Sequence, residues 1–137
     1  TAIYDLDLIM AFEESGGFAT SDDLCTGSRY FWSNVEESKD LLSALAYRYL
    51  KKTPCPSHGP IETRLEYLDF MIKKFNVQGV ITFAGRFCDP ILYDSVHIRN
   101  MLSKNGVPVT VIDYENLAQE IGRIKTRIEA FVESIGD

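Results

Sequence analysis

Only three cysteines and two histidines occur in the 137 residues, and that scarcity excludes several kinds of site. Cys25, Cys55 and Cys88 are separated by 30 and 33 positions. No C-x-x-C or other local metal motif exists, so any shared site must be assembled by the fold or completed by residues outside the chain. In an acidic chain without a secretion signal, the three read as thiols before disulfides. Basic residues are also scarce, with 14 Lys and Arg against 20 Asp and Glu and a net charge of -6. That balance excludes a general nucleic-acid binder, which needs clustered positive charge. It leaves local binding of a small anion open. No apolar run approaches the roughly 20 residues of a membrane-crossing helix. P-loop and G-x-G-x-x-G spacings are both missing. The first residue is Thr1 rather than methionine, and the chain is expected to be a portion of a longer protein.

What is present is the composition of an ordinary globular domain, 45% hydrophobic and 25% charged, long enough for one real core. Residues 1–137 are read as a single domain. The pattern alternates helix and strand. A helix over Ile3 to Glu14 ends at Ser15-Gly16-Gly17, and a short strand follows over Phe18 to Ser21. Leu24 to Trp32 is a loop entering a short helix. Ser38 to Lys52 is helical, with Ser38 as N-cap and Leu41, Leu42, Leu45, Ala46 and Tyr49 on its packing face. Three prolines make Thr53 to Pro60 a loop. Ile61 to Phe75 is helical, with Leu65, Leu68, Met71, Ile72 and Phe75 as its stripe. Asn76 ends that helix, and Val77 to Phe83 is a buried strand. A helix over Pro90 to Asn105 has proline in its first turn. Val107 to Ile112 is a β-branched strand. Leu117, Ile121, Ile124, Ile128, Phe131 and Ile135 define a strongly amphipathic last helix. The whole predicts an α/β fold with three layers, a small parallel flavodoxin-like sheet flanked by helices. Three strands are few for such a sheet, and one more is expected before Thr1.

Three segments carry candidate chemistry. Cys88 lies in Gly79-Val80-Ile81-Thr82-Phe83-Ala84-Gly85-Arg86-Phe87-Cys88-Asp89-Pro90, in the loop at a strand's carboxyl end, where open α/β sheets bind ligands. The helix that follows can favour a thiolate there, and Arg86 can do the same or be a solvated charge. A small residue packed under a loop is the plainer account of Cys88. Asp22-Asp23-Leu24-Cys25-Thr26-Gly27-Ser28-Arg29-Tyr30-Phe31 would share that edge. Its plain account is an aspartate cap, a turn and an aromatic cluster. Pro54-Cys55-Pro56-Ser57-His58-Gly59-Pro60 holds half a zinc site at most. His97 lies about nine residues into the next helix, roughly 13 Å along its axis, which argues against a dyad with Cys88.

These three segments, followed by Thr126-Arg127-Ile128-Glu129-Ala130-Phe131, occur in an order that resembles the C-terminal part of the 2-hydroxyacyl-CoA dehydratase and benzoyl-CoA reductase family. The likeness runs over nearly the whole chain. It implies a cytoplasmic, strictly anaerobic iron–sulfur subunit that works beside a second homologous subunit and receives electrons from an ATP-dependent activator protein. The substrate would be an acyl-CoA, dehydrated through a ketyl radical to an enoyl-CoA or, in the reductases, reduced in an aromatic ring. By this resemblance Cys88 matches a ligand of the family's [4Fe–4S] cluster, and Cys25 and Cys55 match recurring positions. Arg29, Tyr30 and Arg86 fall to the substrate pocket or the cluster surround. The family's remaining cluster cysteines lie largely in an N-terminal half that this chain does not contain, so the chain by itself is expected to be inactive. The alternative, from another class, is a non-catalytic flavodoxin-like binding or docking domain whose cysteines are buried core.

Overall fold

A computed structural model describes residues 6–136. The order is α1 (Leu6–Glu14), α2 (Ser28–Phe31), α3 (Leu41–Leu50), α4 (Ile61–Phe75), β1 (Val80–Gly85), α5 (Asp89–Lys104), β2 (Val109–Tyr114) and α6 (Leu117–Gly136). Ile3 lies outside the described residues. β1 and β2 pair in parallel, in register from Val80↔Val109 to Gly85↔Tyr114. Side chains alternate across a strand, so Ile81, Phe83, Ile112 and Tyr114 share one face. That face meets α6 and α1 in a core of Leu8, Ala11, Ile112, Ile124 and Ile128. Burying each large aliphatic side chain contributes about 1.5–3 kcal/mol. The four-and-three spacing of the last helix supplies this seam. α5 packs on both strands and α4 packs on α5, with Ile91, Ile98 and Leu102 buried. The result is the three-layer α/β arrangement that the alternation predicts.

Local signals place several boundaries. Asn76 caps α4 in the left-handed region, at φ 49°, and its N–H donates to the Ile72 carbonyl. Asp89 and Pro90 open α5, where the missing proline donor costs nothing. α6 begins with a capping arrangement. Asn116 Oδ1 accepts from the Gln119 N–H, while Glu120 Oε1 accepts from the backbone of Glu115 and Asn116 at 2.7 and 3.2 Å.

Several expectations need correction. Phe18 to Ser21 is not a strand among the described residues. No neighbouring strand offers it a ladder, and Phe18 is 78% exposed. The helix expected from Ser38 starts at Leu41, because Asp40 is the N-cap and accepts from the Ser43 N–H at 3.1 Å. The apolar face of α3 is left largely in solvent: Leu41, Leu42 and Leu45 are exposed and no α3 residue is buried, while Tyr49 meets the Tyr30 ring. The two strands also start later than predicted. Residues 77–79 connect rather than pair, and Pro108 has no N–H to give a ladder.

Candidate functional site at the carboxyl edge of the sheet

Cys88 is exposed. β1 ends at Gly85, and a tight turn follows in which the Cys88 N–H donates to the Gly85 carbonyl at 3.0 Å. Phe87, in that turn, has φ 68°. A bulky residue adopts this left-handed conformation at a cost of about 1–3 kcal/mol, and the ring, 83% exposed, recovers nothing from the core. Cys88 is then the N-cap of α5, with its side chain making no cap hydrogen bond. The thiol therefore stands beside the positive end of a helix, although the Asp89 carboxylate in the first turn offsets part of that potential. Exposure removes the account of Cys88 as core packing.

Arg86 does not face the thiol as a free cation. Its guanidinium lies 3.3 Å from Asp113 Oδ2 and 3.0 Å from Glu115 Oε2, at the end of β2 and beyond. The Asp113 hydrogen bond holds Arg86 above its ordinary pKa, and Arg86 holds Asp113 below its own.

The Asp22–Phe31 segment is built around its carboxylates. Asp22 Oδ1 accepts from the N–H of Leu24 and of Ser28, each at 2.9 Å. Gly27 is required there because a β-carbon would strike the Asp22 carboxylate. The glycine thus admits a side chain of this chain, not a phosphate. Arg29, placed by the family likeness in a pocket or the cluster surround, is 3% exposed and paired to Asp23 at 2.8 Å. Asp23 also meets Arg64 of α4 at 2.5 Å, and Arg64 meets Asp94 of α5 at 3.1 Å. Burial lowers the Arg64 pKa and raises that of Asp94, which Arg64 partly opposes. The Tyr67 phenol, buried beside Asp23 and Asp22, is pushed up to about 12. Tyr30 is exposed and turns toward α3, with Arg48 5.6 Å over its ring and Tyr49 6.4 Å away.

This ion network ties the Asp22–Phe31 segment to α4 and α5. Arg64, in the first turn of α4, faces Asp94 of α5, and Asn105, just past the end of α5, reaches Asp69 further along α4 at 3.1 Å. The two helices therefore run parallel. The Cys55 loop enters α4 and the Cys88 turn enters α5 on the same side of the domain. Cys25 is exposed, with its sulfur 3.9 Å from Arg29 Nη1; Cys55 is half-buried. The groove of about 590 Å³ between α4 and α5 lies toward their other ends, against Asp69, Met101 and Asn105.

The donor set decides what this edge can hold. Among the described residues no three His, Cys, Asp or Glu side chains are grouped as a metal site. An exposed thiol at a helix start suits one position of an iron–sulfur cluster, which takes thiolate ligands; it does not make a complete site. Arg64, Asp94 and Tyr114 carry no signal in the sequence. The first two look like ordinary helix-surface charges, and Tyr114 lies two residues past the expected end of its strand.

Residues 1–135 match the family model described as the 2-hydroxyglutaryl-CoA dehydratase D-component. The putative dehydratase subunit YjiM of Escherichia coli strain K12 is 29% identical over 93% of this chain and 33% of its own length. The (R)-phenyllactyl-CoA dehydratase beta subunit of Clostridium sporogenes is 26% identical over 94% of this chain and 34% of its own. A benzoyl-CoA reductase subunit of Thauera aromatica is 26% identical over 95% of this chain and 34% of its own. The chain thus spans about a third of the length of these curated relatives. Among the described residues no helix is long and apolar enough to cross a membrane. With its α/β order, its cysteine at the sheet edge and a match over nearly its whole length, the chain belongs to the 2-hydroxyglutaryl-CoA dehydratase D-component family.

Proposed function

We propose that this chain is the C-terminal domain of a [4Fe–4S] subunit in a 2-hydroxyacyl-CoA dehydratase or a benzoyl-CoA reductase type of enzyme, and that Cys88 is its iron ligand. The observation that carries this is the exposed Cys88 thiol at the start of α5, on the edge where α/β sheets bind ligands. When bound, the cluster supplies single electrons to an acyl-CoA, for radical elimination of water or for ring reduction. The residues of this chain prepare the place. The α5 amides turn the positive end of the helix toward the Cys88 side chain. The Gly85–Cys88 turn aims the side chain outward, and the Asp23–Arg64–Asp94 network ties the Cys25 loop to α4 and α5. Cys25 and Cys55 are proposed as further ligands or neighbours of the cluster. Tyr30 is proposed for the substrate pocket or the cluster surround. Arg29 and Arg86, both held by carboxylates, shape the edge instead of binding a substrate anion. The proposed partners are a second iron–sulfur subunit, an ATP-dependent activator protein and the acyl-CoA, in an anaerobic cytoplasm.

The test is anaerobic reconstitution of the full-length protein with iron and sulfide. Cys88→Ala is expected to lose iron and the cluster's visible and EPR spectra while keeping the fold. Unchanged iron and spectra would refute the ligand assignment.

A further inference from the structure

α3 is held to its own domain on its polar side. Arg48 Nε donates to the Ser33 carbonyl at 3.0 Å, and Arg48 Nη2 donates to the Tyr30 carbonyl. The opposite side faces solvent. Leu42 and Leu50 are 81% and 75% exposed, and Leu41, Leu45, Ala46 and Tyr49 are exposed beside them. At about 100° per residue these six cover one half of the helix surface, and an uninterrupted apolar stripe of this kind marks an interaction surface. The order within it is symmetric. About the midpoint between Leu45 and Ala46, Leu41 exchanges with Leu50 and Leu42 with Tyr49, so the stripe reads the same in both directions. The charges at its ends change sign under the same exchange. Glu36, Glu37 and Asp40 precede the helix, against Lys39 alone, whereas Arg48, Lys51 and Lys52 stand at its end.

We propose that α3 is a self-association surface, and that its occupant is α3 of a second copy of this chain, antiparallel across a two-fold axis. The proposal goes beyond the reading of Cys88 and does not depend on it. An axis through the midpoint of the stripe brings each apolar position onto an apolar position of the other copy, as a self-complementary interface requires. Ala46, small and central, lets the two helices close. The acidic start of each α3 lies beside the basic end of the other, and the two helix dipoles oppose. A parallel pair would bring like charges together instead. A helix of ten residues is about 15 Å long and about 10 Å across. Its stripe is therefore smaller than the about 800 Å² per partner of a standard interface, and the association is weak and concentration-dependent.

The experiment is sedimentation velocity of the full-length protein over a range of concentrations, with thermal melting read alongside. The wild type is expected to pass from monomer to dimer as concentration rises. Leu42→Glu with Leu45→Glu should stay monomeric without a lower dilute melting temperature, because both leucines are exposed. Glu37 and Lys52, exposed at opposite ends of α3, test the direction of pairing. Glu37→Lys alone and Lys52→Glu alone should each weaken the dimer by about tenfold or more, since like charges then face each other twice. The two variants mixed in equal amounts should recover it, because both end contacts of the mixed pair again join opposite charges. Failure of the mixture to recover would overturn the antiparallel pairing, and a dimer that survives the leucine changes would overturn the surface. A monomeric wild type would overturn the proposal. If the leucine variant then melts lower, another part of the same polypeptide covers the face; if the wild type forms a complex only with a different subunit, and the leucine changes abolish it, that subunit does.

Discussion

Replacing Arg64 with methionine removes the cation paired to Asp94, while Asp23 keeps Arg29. Arg64 is 4% exposed and Asp94 is 5% exposed, so water cannot take over. Removing one partner of a buried ion pair costs about 3–5 kcal/mol, a large part of the roughly 5–15 kcal/mol that holds a domain together. The loss depends on pH, with a definite sign. Burial already places the Asp94 pKa above its ordinary value, against the pull of Arg64. Without Arg64 it rises further. A carboxyl whose folded pKa is raised holds its proton more readily folded than unfolded, so stability falls as pH rises through that window. The deficit of Arg64→Met should be full at neutral pH and should shrink as the pH falls toward the ordinary aspartate range. Urea unfolding at pH 7.5 and at pH 5 measures both. Arg64→Met with Asp94→Leu should recover most of the loss, since no uncompensated charge is then buried. A single variant that loses under about 1 kcal/mol, or a double variant no more stable than the single, would refute the argument.

Glu120→Gln should lower the melting temperature at neutral pH and flatten the acid limb of the stability curve. Backbone hydrogen bonds from Glu115 and Asn116, with Arg123, hold the Glu120 carboxyl at about 2, so its stabilisation is present above the ordinary glutamate range and is lost as pH falls toward 2. Gly27→Ala should cost about 1–3 kcal/mol in denaturant unfolding, because its methyl would displace the Asp22 carboxylate that holds the loop; stability within a few tenths of wild type would show that the loop is not closed as described. Phe87→Gly should stabilise by up to about 2 kcal/mol, since glycine adopts φ 68° without strain and no buried contact is lost; a destabilised variant would show that the ring makes a contact that offsets the strain.

Legibility in the sequence followed the range of the interaction that decides each feature. The strand before Gly85, proline in the first turn of α5, Asn76 at the end of α4 and the stripe of α6 are fixed by near neighbours, and all are in place. The Asp22 cap and the glycine that admits it are equally local and are found as read, whereas the aromatic core cluster expected there is not core: Tyr30 and Phe31 are exposed. The short strand at Phe18 failed because a strand exists only through its partner, and pattern alone supplies none. α3 reads as a packing helix, yet its leucines Leu41, Leu42 and Leu45 are exposed, and its Tyr49 meets a loop-proximal ring, Tyr30, not the core. Arg64 and Asp94 were illegible for the opposite reason. A charged residue on a helix is usually solvated, and only the approach of α4 to α5 reveals that these two are buried against each other.

The same distinction explains the carboxyl edge. That a cysteine stands after a strand and before a proline is local and can be read directly. What makes the position different from any exposed thiol is not local. Phe87 sits at positive φ with its ring in solvent, a conformation that an unconstrained surface turn would relax to avoid the strain. The turn keeps it because both ends are held. Gly85 is fixed by its rung with Tyr114, and Arg86 N–H donates to the Tyr114 carbonyl at 2.6 Å, while beyond Cys88 the Leu92 N–H closes the first turn of α5 on the Cys88 carbonyl at 3.1 Å. Cys88 is left with a fixed backbone and a side chain that makes no cap hydrogen bond. A side chain set in this way has little backbone freedom to lose on binding a partner group, which is the advantage of preorganisation. The strained turn at Phe87, anchored at both ends, therefore directs a single cysteine side chain outward from the edge of the sheet.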